Sequence, residues 1–114
     1  MLISACKPQP VSIDGWWFVK EIRTTAENRL VLKDSPLQNP LLIDAKRSEI
    51  TFPGKTESTT VKYSLQLLGS QTILTIYTDD SIYGGEFTVS KIAHGGLLFE
   101  NNDYRIYLSS SPYK

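Results

Sequence analysis

Arg105 and Tyr107 stand two residues apart near the end of a 114-residue chain. Residues two apart on a strand share a face, so a guanidinium fork and a phenol would point the same way. Facing inward, the pair could hold a carboxylate, with the fork binding both oxygens. The same stretch has a second reading. Tyr104, Ile106 and Leu108 are the more apolar alternate set and the natural core face. Arg105 and Tyr107 would then lie on the outer surface, or Arg105 would stack over Trp17 as a structural plug. Asp79-Asp80 pairs two acids beside Ser81, Ile82, Tyr83 and Gly84-Gly85. Calcium takes about 6–8 oxygens, more than two adjacent aspartates supply, and acids in a hairpin tip are ordinary turn formers. Ile82 and Tyr83 make that tip a candidate contact loop. His94, the only histidine, precedes Gly95-Gly96. It has no Gly-x-Ser-x-Gly elbow or comparable nucleophile signature to serve. No catalytic residue is assigned, and the chain is expected not to be an enzyme.

Composition narrows the classes further. Twelve basic and twelve acidic residues give a net charge of zero. The cations are scattered, so nucleic acid is not an expected partner. A single cysteine excludes an intrachain disulfide and any CxxC motif, and a single histidine excludes a multi-histidine metal site. No metal or cofactor is expected. No apolar run approaches the roughly 18 residues of a membrane-spanning helix.

The elements that must position these residues are strands. Val61, Tyr63, Leu65 and Leu67 alternate with Lys62, Ser64 and Gln66, the period-two pattern of a half-buried strand. Gly69-Ser70 breaks the run, and residues 72–77, rich in β-branched and aromatic types, form the returning strand. Further strands are predicted over 87–92, 97–100 and 104–108, separated by turn residues. In the first half, 16–23, 29–33 and 49–52 read as strands, and 34–40, with Pro36 and Pro40, as a loop. Residues 41–44 could be a strand or a turn of helix. Pro53-Gly54-Lys55 is a turn. Trp16, Trp17 and Phe18 are consecutive, so at least one large ring must point away from the interior. It is either packed under a terminal segment or exposed to a partner.

Hairpins at this spacing predict one all-β domain. Closure into a small antiparallel up-and-down barrel of eight or nine strands would remove the unpaired edges. Eight strands enclose just enough room for side chains or one small ligand. The domain spans 13–110, after a tether at 1–12 and before a tail at 111–114.

Two resemblances add to this. Ile3-Ser4-Ala5-Cys6 resembles the lipobox of bacterial lipoproteins and is followed by the polar, proline-rich Lys7-Pro8-Gln9-Pro10. The resemblance implies that Cys6 is the lipidated first residue of the mature chain. The domain would then be tethered in the bacterial cell envelope, on the periplasmic or surface side, with Cys6 its only membrane attachment. An unlipidated Cys6 in an N-terminal tail is the alternative.

The barrel itself resembles the lipocalin and fatty-acid-binding superfamily, in particular small bacterial lipocalin-like lipoproteins. Gly15-Trp16-Trp17 is similar to the Gly-x-Trp opening the first lipocalin strand. The run from Tyr63 through Gly69 to Ile76, then Phe87-Thr88-Val89 and Leu97-Leu98-Phe99-Glu100, is similar to the family's meander. Arg105-Ile106-Tyr107 is similar to its carboxylate-holding Arg-x-Tyr. The resemblance implies a non-catalytic protein binding a small apolar or amphipathic molecule. The implied lining is Trp17, Val19, Tyr63, Leu65, Phe87, Val89, Phe99, Arg105 and Tyr107. A filled barrel acting as a protein-binding module, an inhibitor or an assembly factor, is the alternative. A cavity of about 300 Å³ or more favours the ligand; solid packing with exposed aromatics favours the protein partner.

Overall fold

The computed structural model describes residues 11–33, 40–52 and 59–110. The expectations for Cys6, for the loop at 34–39, for the turn at 53–55 and for the tail at 111–114 lie outside them. The described residues form nine strands and no helix: β1 (Gly15–Thr24), β2 (Leu30–Lys33), β3 (Leu41–Asp44), β4 (Glu49–Phe52), β5 (Thr59–Leu68), β6 (Gln71–Tyr77), β7 (Gly85–Ile92), β8 (Gly96–Glu100) and β9 (Tyr104–Ser109). Residues 41–44, undecided by periodicity, are a strand, because Leu41 and Ile43 alternate inward.

All pairings are antiparallel, each strand from β3 onward pairs with the next, and β9 returns to β1. The sheet is therefore a closed eight-stranded barrel with β2 as one extra strand. β1 makes this possible by its length. One edge pairs with β9 through Phe18–Thr24. The other pairs with β3 at Gly15–Trp17 and with β2 at Glu21–Arg23. Thus β2 and β3 lie end to end along β1. Following the register once around the ring returns to β1 about a dozen residues displaced, the stagger that tilted strands need to close.

A β-bulge lies on the closing seam. Val19 pairs with Leu108 and Glu21 with Tyr107, leaving Lys20 as the extra residue. Such an insertion shifts the inward phase by one. Trp17 and Val19 point inward before it, and Ile22 after it.

The core is the barrel interior. Ile22, Ile43, Ile50, Leu74, Phe87, Leu97, Ile106 and Leu108 each leave about 1% or less of their surface open. The Phe87 and Phe99 rings meet with centroids 6.1 Å apart. Alternate turns give the barrel two ends. The start of β1 and the turns β3–β4, β5–β6 and β7–β8 form the lower end. The turns β1–β2, β6–β7 and β8–β9 form the upper end.

Candidate functional site

Seven of the nine residues proposed to line a pocket face the interior: Trp17, Val19, Tyr63, Leu65, Phe87, Val89 and Phe99. All but Leu65, which is half-buried, are buried. The packing there is dense. A guest-sized void would leave its walls open to a water-sized sphere, yet Phe87 and Phe99 are 1% and 2% exposed. Neither ring therefore fronts a void that a water-sized sphere could enter.

Arg105 and Tyr107 are not brought to that interior. Between and beyond them on β9, Ile106 and Leu108 are buried, so by the period of two Arg105 and Tyr107 stand on the outer wall. Arg105 donates from Nε to Glu100 Oε2 at 2.9 Å, across the β8–β9 register pair of the same two residues. That hydrogen bond raises the guanidinium pKa above its ordinary value. The carboxylate expected from a ligand is supplied by the chain itself. The physical reason is the apolar alternate set: burying Ile106 and Leu108 leaves the charged member no inward position.

Both ends of the barrel are covered. Below, Val11–Asp14 crosses as a strap. Val11 N donates to Thr72 Oγ1 at 2.8 Å, Ile13 is buried, and Asp14 Oδ1 accepts from Ala45 N at 2.8 Å. Trp17 Nε1 donates to Ile13 O at 2.8 Å, so the indole and the strap fix each other. Val11, assigned to the tether by sequence, is thereby bonded to the barrel. Near this end Tyr63 is pushed up in pKa by burial and by the charges of Asp14 and Asp44. The sequence carried a signal for the strap: the inward phase of Trp17 extends back through Ile13 and Val11.

Above, the segment between β6 and β7 folds inward instead of presenting a tip. Ile82 and Tyr83 pack against the core, and the Tyr83 ring lies 4.7 Å from Phe52, centroid to centroid. Asp80 is the turn former that holds them: its Oδ1 accepts from Ile82 N at 2.8 Å and from Tyr83 N at 2.9 Å. Burial, then the Asp80 charge, pushes the Tyr83 phenol up to about 12. The exposed aromatic here is Tyr77, at the end of β6, whose hydroxyl lies 3.0 Å from Ser64 Oγ.

His94 is exposed in the β7–β8 turn, in the left-handed region at φ 61°. Among the described residues, no three His, Cys, Asp or Glu side chains are placed to hold a metal ion.

Outside the barrel, a hollow of ≈ 350 Å³ is lined by Lys20, Ile92, Ala93, His94, Tyr107 and Leu108, with Gly96 and Ser109. It exists because the β7–β8 turn folds over the wall at Gly96. A Cβ there would meet Ile92 Cγ1 at 2.7 Å and Leu108 O at 2.9 Å. Tyr107 thus borders an apolar hollow, but an external one.

No protein-family model, no curated protein and no solved structure matches this chain.

Proposed function

We propose that this chain is a non-catalytic binding module of the bacterial cell envelope, in which a filled barrel is the scaffold and its surface meets another protein. One observation carries this reading: inward side chains seal the interior while large rings and aliphatics stand outside. Ile106 is 0% exposed and Phe87 1%, against 59% for Tyr77 and 44% for Leu30. A barrel that stores a guest keeps its inner walls open; a barrel that presents a surface fills them. Exposed aromatics are the residue type that anchors interfaces. The envelope placement belongs to the same proposal and rests on the Ile3–Cys6 pattern, with acyl chains on Cys6.

The test uses the chain purified from its own host after mild cross-linking. Native mass spectrometry is expected to show a protein cross-linked near Tyr77 or β2, and no non-covalent lipid-sized adduct. The opposite result, an adduct without a captured protein, would overturn the partner reading. The mass of the N-terminal peptide checks the acyl chains, and Cys6→Ser is expected to change membrane attachment that only detergent releases into attachment that high salt releases.

A second reading has its own observation. The hollow beside Tyr107, Ile92 and Leu108 has the volume and apolar walls of a small-ligand site. On this reading a small apolar or amphipathic ligand would bind there, outside the barrel. Ile92→Ser would then abolish the adduct, and Phe87→Leu would not.

A further inference from the structure

The two ends of the barrel differ in chemistry. Trp16 is 58% exposed, Leu68 60% and Ile92 37%. Trp16 is the second residue of β1, Leu68 the last of β5 and Ile92 the last of β7. All three therefore stand on the lower rim. Lys46 and Arg47, in the β3–β4 turn, and Lys91, beside Ile92, are exposed on the same rim. Its acids are engaged locally: Glu49, the register partner of Asp44, lies 3.0 Å from Lys62 Nζ. Asp14 caps Ala45 N. Asp44 Oδ1 accepts from Lys46 N at 3.0 Å and Arg47 N at 3.3 Å, and its Oδ2 lies 3.9 Å from Arg47 Nε.

The upper end has the opposite character. Glu27, Asp79, Asp80, Glu86 and Asp103 are exposed there. Of the cations near them, Arg29 lies 3.8 Å from Glu27, and Arg23 and Arg105 pair with Glu21 and Glu100. Among the described residues, charge is thus unevenly divided between the two ends of the barrel.

We propose that the lower rim docks on the surface of an anionic lipid bilayer, with Trp16, Leu68 and Ile92 at headgroup depth and Lys46, Arg47 and Lys91 among the headgroups. Tryptophan is suited to that layer because its ring is apolar and its N–H polar. Lysine and arginine stems lie along apolar surface while their charges reach the phosphates. Anionic headgroups attract basic residues close to the surface, and the acidic upper end turns away from them. The path of the chain agrees. Val11, the first described residue, is bonded at this end to Thr72, so the described chain begins at the rim proposed to face the lipid. Docking of this kind needs neither an acyl chain on Cys6 nor a protein partner.

The experiment uses the full chain carrying Cys6→Ser, so that no acyl chain contributes. Binding is measured with phosphatidylcholine vesicles, with and without phosphatidylglycerol, some containing brominated acyl chains. Trp17 is buried and bonded to Ile13 O, so quenching by bromine reports Trp16. The expected result is sedimentation with anionic vesicles only, weakened by salt, with quenching that vanishes in Trp16→Phe. Lys46→Glu with Lys91→Glu should lower the partition coefficient at least about tenfold. Asp79→Lys with Asp103→Lys should not lower it. Circular dichroism verifies that each variant is folded. Absent or charge-independent partitioning, or lower-rim variants that bind like the parent, would overturn the proposal. So would a dimer in sedimentation analysis that Trp16→Ser dissociates, or a partner protein cross-linked through this rim.

Discussion

Tyr83 shows how one residue can close a barrel end and leave a measurable trace. Its phenol, near 10 when unfolded, is pushed to about 12 by burial and by Asp80. The folded state therefore keeps its proton at pH values where the unfolded chain has lost it. That contribution is fully present below about pH 10 and disappears between pH 10 and 12, amounting to about 2–3 kcal/mol. Tyr63 shifts in the same direction. Chemical denaturation across that window should show stability falling with pH, and Tyr83→Phe should flatten the fall. The loop holding Tyr83 is equally specific at Gly84. A Cβ there would lie 2.4 Å from Thr78 O and 2.7 Å from Asp80 O, both backbone atoms that cannot swing aside. Gly84→Ala is expected to cost about 2 kcal/mol or more, read as a lowered urea midpoint. Gly69→Ala separates clash from conformation: it has open space around it but a φ of 64°, and should cost only about 1 kcal/mol.

At the scale of elements, the strap Val11–Asp14 covers the lower end of the barrel, and the bulge at Lys20 sets the phase of its closing seam. The strap is held by few bonds, and Thr72 is the buried side chain that accepts the first of them. Thr72→Val keeps the shape, removes the acceptor and leaves Val11 N without its partner. The expected loss is about 1 kcal/mol, and hydrogen exchange should speed up at Val11 and Ile13 before it does so in β6 or β7. A uniform change across the barrel would mean that the strap is not a separate unit. The bulge acts by geometry. Without the extra residue, Ile22 would turn outward and Glu21 would enter the core, so the closing seam depends on that slip of phase.

For the whole molecule, closure through β1 and β9 means that no barrel strand is dispensable. Ile22 and Ile106 are register partners on that seam, 1% and 0% exposed. Ile106→Ala should cost about 3–4 kcal/mol and shift the thermal midpoint by roughly 10 °C or more. Trp16→Ser, 58% exposed on the neighbouring stretch of β1, should change stability by less than about 1 kcal/mol. Comparable losses from the two would contradict a filled interior with a presented outer wall.

The strands were legible in the sequence because each half-buried strand writes its burial in alternate residues. Val61, Tyr63, Leu65 and Leu67 show it for β5, and Tyr104, Ile106 and Leu108 for β9, including the outward side of Arg105 and Tyr107. The all-β class and the antiparallel order follow from local pattern and short turns. Closure is not local: it depends on β1 being long enough to pair with three other strands, and no window of residues records that. The inward turn of Ile82 and Tyr83 was not legible either, since a loop has no period to read. Its direction is decided by Phe52, distant in sequence, offering a ring to pack against. The filling of the interior and the separation of charge between the ends likewise arise only when residues far apart in the chain are brought to the same place.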